Sequence, residues 1–215
     1  MKIKNQEIIA RIPELLRNPD EYFQTYAKDI LDDLAHKKDG GFEEPVKYYL
    51  SAKLRREFGH DYRIYSGNKP KEQPLREILQ SAHKPDLLLL SKDDTELFIL
   101  ELKSVVKPEF QYSFLFSSDG TQKNYEAGNG DFSHQQRRLA EAARILTGTK
   151  TRCFLLLLYI EQAAEKQTQS GGWARPIFDE KLKGAQPELI VLIDAMIDIQ
   201  HKTQMKFRFM EVNMK

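Results

Sequence analysis

The chain has 215 residues, with 33 Lys and Arg set against 32 Asp and Glu, a formal charge of +1. Hydrophobic residues make up 40% and charged residues 30%, which suits one soluble globular domain and not a disordered chain. The apolar run Cys153 to Ile160 is too short to cross a bilayer, and the lone cysteine excludes a disulfide framework, a Cys-based zinc site and a Cys-held iron–sulfur cluster. Met1 to Glu7 contains no apolar signal segment, so a cytoplasmic location with no membrane partner is expected. A charge this balanced does not advertise a nucleic-acid partner, so any such partner has to be argued from a site.

Ile8, Ile9, Ile12, Leu15 and Leu16 open the chain at helical spacing despite Pro13, and a second helical run starting at Asp20 carries Phe23, Tyr26, Ile30, Leu31 and Leu34. Asp39-Gly40-Gly41 is a break. A third helix repeats Val46, Leu50, Leu54 and Phe58 every four residues and stops at Gly59, with Pro45 tolerable in its first turn. Tyr62 to Ser66 reads as a short strand, followed by a loop containing Pro70 and Pro74. Leu87 to Leu90 and Leu97 to Leu100 flank a turn at Asp93-Asp94, and continuous apolar runs of this kind are strands buried on both faces. Residues 104–132 form a long connection whose alternating Phe110, Tyr112, Phe114 and Phe116 read as an edge strand. The helix over 133–147 opens with a capping box of Ser133 and Gln136, turns Leu139, Ala142, Ala143 and Leu146 inward, and ends at Gly148. Thr151 to Ile160 is a further buried strand, and 161–187 is polar with Gly171-Gly172-Trp173. Residues 188–212 fit a helix or a hairpin; the alternation from Met205 to Phe209 favours a strand, with Ile197 to Gln200 as its partner. The middle of the chain is thus helix, strand, strand, strand, helix, strand.

The chemistry concentrates around the hairpin. With Asp93-Asp94 at its tip, Leu90 faces Leu97, Leu88 faces Ile99 and Asp86 faces Glu101. Directly opposed residues have Cβ atoms roughly 4.5–5.5 Å apart. Lys103 points to the same face as Glu101, because side chains alternate along a strand. Two opposed carboxylates repel, and a divalent cation removes that repulsion. Carboxylate oxygens without His or Cys suit Mg²⁺, with Mn²⁺ as a substitute, rather than zinc. A surface ion pair between Glu101 and Lys103 is the plainer explanation of the same residues.

Pro85-Asp86 followed by Glu101-Leu102-Lys103 resembles the motif of the PD-(D/E)XK nucleases, the restriction-endonuclease-like superfamily. Asp179-Glu180-Lys181 also fits the tripeptide, so the resemblance rests on Pro-Asp, hairpin register and element order together. It covers about 41–160 and implies an α/β fold with the αβββαβ core and mixed central sheet of that superfamily. The domain would comprise an N-terminal helical extension over 1–40, the catalytic core over 41–160 and a C-terminal β extension over 161–215. The implied activity is Mg²⁺-dependent hydrolysis of DNA phosphodiester bonds by a restriction or defence endonuclease. Asp86, Glu101 and the Leu102 carbonyl would hold the metal, with Lys103 assisting the attacking water. Members often carry a metal-reaching Glu on the first core helix, and Glu43 is preferred to Glu44 because it continues the Val46/Leu50/Leu54 stripe. A solvated carboxylate at a helix N-terminus explains Glu43 equally well. Members also place a Gln on the helix after the motif; Gln135 continues the inward stripe there, while Gln136 is accounted for by the capping box. Restriction-type members often work as dimers, one site per strand, which adds a homodimer to DNA as an expected partner. A non-catalytic nucleic-acid-binding domain of the same fold and a repair or junction-resolving nuclease are the alternatives.

Overall fold

A computed structural model of the protein describes residues 2–21, 23, 43–67, 73–80, 84–105, 132–160, 189–199 and 203–212. Helices α1 (Lys2–Arg17) and α2 (Glu43–Phe58) lead into strand β1 (Tyr62–Ser66) and the short helix α3 (Leu75–Gln80). Strands β2 (Leu87–Ser91) and β3 (Glu96–Val105) follow, then helix α4 (Phe132–Thr147) and strands β4 (Lys150–Ile160), β5 (Leu189–Ile199) and β6 (Thr203–Val212). The six strands form one mixed sheet in the order β1-β2-β3-β4-β6-β5. Only the β3–β4 pair is parallel among these neighbours. A parallel pair requires a crossover, and α4 lies between β3 and β4 in sequence.

The continuous apolar runs are explained by helices on both faces of the sheet. On one face α2 lays Val46, Leu50 and Leu54 into a core with Leu87, Leu89, Phe98, Leu100 and Leu102. Helix α1 adds Ile8, Ile12, Leu15 and Leu16 to that core. The other face packs Leu88, Leu90, Leu97, Ile99, Cys153 and Leu155 against Leu139 and Ala143 of α4. Burying one such aliphatic side chain contributes about 1.5–3 kcal/mol. Pro13 sits inside α1. Its cost of roughly 3 kcal/mol is offset by the four buried aliphatics of that helix. Pro45 is the third residue of α2, where its missing N–H costs nothing.

Several expectations need correction. The segment after Pro74, read as loop, contains α3, whose Leu75 and Ile78 are fully buried. Six residues are too few to display a helical period, so this helix has no sequence signal of its own. Helix α4 is described from Phe132, and the side chains of Ser133 and Gln136, the expected capping box, lie outside the described residues. Leu146, expected to face inward, is 44% exposed, because it lies in the last turn before the chain reverses at Gly148. Gly148 does end the helix: its φ of 68° is left-handed, and its N–H donates to the Arg144 carbonyl at 2.9 Å. The ambiguous end of the chain is a hairpin, with Ile197 paired to Met205, and β6 is inserted between β4 and β5. Most of the second helical run (Tyr26, Ile30, Leu31, Leu34), the aromatics over 110–116 and Gly171-Gly172-Trp173 lie outside the described residues.

Candidate functional site

The site forms at the end of the sheet where β1 finishes, β2 begins and β3 continues past both. The β2–β3 register pairs Leu90 with Leu97, Leu88 with Ile99 and Leu87 with Leu100, as the hairpin tip predicts. The ladder ends with that last pair, and Asp86 lies one residue before β2, where the same register extended by one step would set it opposite Glu101. There the backbone ladder is replaced by a side chain: the Leu102 N–H donates to Asp86 Oδ2 at 2.8 Å. Pro85 explains why, since it has no N–H and cannot continue a ladder as a donor. The Asp86 side chain is 19% exposed, so one edge of the carboxylate is tied to β3 while the residue still reaches solvent.

Glu101 is 1% exposed, on a strand with neighbours on either side. By alternation it follows Leu97 and Ile99 on the face covered by α4. A buried carboxylate costs several kcal/mol unless compensated, so this position demands a positive charge or hydrogen-bond donors close by. The backbone of Lys103, two residues on, pairs with Leu157 of β4. Its side chain lies outside the described residues, as does that of Gln135. The backbone of Gln135 is in the first turn of α4. That helix returns from the far end of β3 to Lys150, which pairs with Glu96. Beyond that first turn, α4 lays Leu139 and Ala143 on the Leu97/Ile99 face that Glu101 continues.

Helix α2 supplies the residue that sequence reasoning missed. Lys47 is 6% exposed, and its Nζ lies 3.9 Å from Asp86 Oδ1. The same ammonium bonds Glu44 in a very short ion pair and stands 5.5 Å from the Tyr48 ring centroid. Gly67, just beyond β1, is so close that a Cβ there would meet Nζ at 3.6 Å. The signal was present in the sequence: Lys47, Leu50 and Leu54 are spaced three and four apart, which puts Lys47 at the margin of the buried stripe. Further along α2, Ser51 bonds Ser66 Oγ at 3.2 Å, and Arg55 donates to the Ile64 carbonyl at 3.1 Å. A polar row on α2 therefore ties the helix to β1.

Glu44 is more exposed than its partner, with a side chain 55% open to solvent, and Glu43 is half-buried at the first position of α2. Among the described residues no three His, Cys, Asp or Glu side chains gather around a point that could hold a metal ion. Glu43 thus does not join Asp86 and Glu101 in one acidic cluster. The donors that Asp86, Glu101 and the Leu102 carbonyl offer are all oxygens. That set fits Mg²⁺, which is commonly held by one or two carboxylates with water in the remaining positions.

No protein-family model, curated protein or solved structure matches this chain. Among the described residues no helix is long and apolar enough to cross a membrane.

Proposed function

We propose that the protein is a Mg²⁺-dependent endonuclease that hydrolyses DNA phosphodiester bonds, of restriction or defence type, built on a restriction-endonuclease-like core. What supports this most is the hydrogen bond from the Leu102 N–H to Asp86 Oδ2 at 2.8 Å, which holds Asp86 beside the strand that carries the buried Glu101, just past the last β2–β3 pair Leu87–Leu100. The run of elements from α2 to β4 adds to it, since apart from α3, inserted between β1 and β2, it follows the expected αβββαβ order.

In this proposal Asp86, Glu101 and the Leu102 carbonyl hold the metal. When bound, Mg²⁺ supplies a polarised phosphate oxygen and a more acidic water. The hydrogen bond from Leu102 N–H fixes the Asp86 carboxylate before substrate arrives, so little reorganisation is needed in the reaction. Lys103 stabilises negative charge growing on the phosphate or accepts the proton of the attacking water. Gln135 orients that water or the phosphate, and the N–H groups that open α4 favour an anion there. A homodimer would supply one such site to each DNA strand, and the location is cytoplasmic.

A non-catalytic nucleic-acid-binding domain of the same fold is the second reading. Lys47 favours it, because its ammonium already gives Asp86 a positive neighbour without any metal. Incubation of the protein with DNA substrates in Mg²⁺, Mn²⁺ and EDTA separates the two. Cleavage with metal alone is expected. Tight DNA binding with no cleavage in either metal would overturn the enzyme in favour of the binding module.

A further inference from the structure

We infer that Lys47 is an internal cation, bonded to Glu44 and standing beside Asp86, that opposes a divalent metal there and so lowers the metal affinity of the site. This rests on the metal site proposed above. Asp86 Oδ2 is engaged by the Leu102 N–H, whereas Oδ1 faces the Lys47 ammonium at 3.9 Å. A metal approaching Oδ1 meets a positive charge at close range that is buried and therefore poorly screened. The two cannot both lie against Oδ1 without strong repulsion. Lys47 has somewhere to go, because Glu44 already shares its ammonium and reaches solvent.

Gly67 lies beside the ammonium: its left-handed φ of 66° disfavours a side chain, and a Cβ there would come to 3.6 Å from Nζ. Lys47 is held between Glu44 on the solvent side and Asp86 on the sheet side, with two carboxylates for one charge. The metal tips that balance toward Glu44. Removing the ammonium removes the competitor, and neutralising Glu44 removes the alternative seat.

Mn²⁺ affinity measured by calorimetry and by electron paramagnetic resonance tests this directly, in 0.15 M salt so that distant charges are screened over about 8 Å. Lys47→Met should bind Mn²⁺ about tenfold tighter than wild type, the scale of coupling between touching groups. Glu44→Gln should bind it several-fold weaker, and this substitution at an exposed carboxylate keeps the test available if Lys47→Met does not fold. Arg55→Met is the control: it deletes a positive charge about two turns along α2 from a residue bonded to Ile64 and Ser66. It should change the affinity less than twofold. A Lys47→Met protein that binds Mn²⁺ no tighter than wild type would overturn the inference and leave the metal site standing. So would an Arg55→Met protein that gains as much, since the effect would then be one of net charge. Absence of Mn²⁺ binding in wild type and every variant would overturn the metal site itself and the inference with it.

Discussion

Asp86 offers the most direct test of the geometry, because two substitutions there separate its hydrogen bond from its charge. Asparagine keeps an acceptor for the Leu102 N–H, now 2.8 Å from Asp86 Oδ2, whereas alanine removes it and leaves that N–H beside a fully buried Leu102. A hydrogen bond to a charged group is worth about 1.5–3 kcal/mol and a neutral one about 1 kcal/mol. Loss of the Lys47 contact adds little to either variant, since the ammonium retains Glu44. Asp86→Ala should therefore cost about 2–3 kcal/mol and Asp86→Asn about 1 kcal/mol. At about 2–4 °C per kcal/mol for a chain of this size, Tm should fall by roughly 4–12 °C and 2–4 °C respectively. Thermal melts without metal and amide exchange at Leu102 are the assays. The exchange should accelerate in Asp86→Ala and stay near wild type in Asp86→Asn. Equal destabilisation by the two variants, with equal exchange, would mean that Asp86 does not fasten β2 to β3, and the site would lose its main support.

Mg²⁺ or Mn²⁺ should raise the wild-type Tm, by about 2.7 kcal/mol of stabilisation at a hundredfold excess over Kd, and much less in Asp86→Asn; differential scanning fluorimetry checks this. Lys103→Ala should abolish cleavage while leaving most DNA affinity, as a gel shift in Ca²⁺ beside a cleavage assay in Mg²⁺ would register. Asp20 is held below its usual 3.8 by Lys53 and by the Phe23 N–H, and Glu57 below its usual 4.5 by Arg11. Depressed carboxylates stabilise fully above those values and lose their contribution as pH falls through the folded ones. Acid melts of Asp20→Asn and Glu57→Gln should accordingly show a shallower loss of stability below about pH 4.5 than wild type.

Much of this was legible in the chain because the sheet is covered on both faces. Leu87 to Leu90 and Leu97 to Leu100 have no polar alternation to mislead, and Asp93-Asp94 at the tip fixed the register that the structure has. Gly148, with no Cβ to oppose a left-handed φ, marked the end of α4 correctly. Failures arose where tertiary packing overrode local pattern. Helix α3 exists because Leu75 and Ile78 find the Leu88/Leu90 face, which nothing within six residues could announce. Leu146 continues a helical stripe on paper, yet its turn has moved beyond the apolar surface that α4 covers.

Lys47 shows why the site itself was only half legible. A lysine in the first turns of a helix ordinarily extends its ammonium into water, and no local rule places it against a carboxylate 39 residues away in the chain. Its burial follows from three separate elements meeting: the start of α2, Gly67 after β1 and Asp86 before β2. Sequence reasoning treated the repulsion between Asp86 and Glu101 as a demand for metal alone. The structure sets a cation of its own 3.9 Å from Asp86 Oδ1, so that carboxylate has a positive neighbour within the fold. A metal bound at Asp86 as proposed would meet that charge, and the ion pair with Glu44 is what would keep Lys47 compensated with or without it.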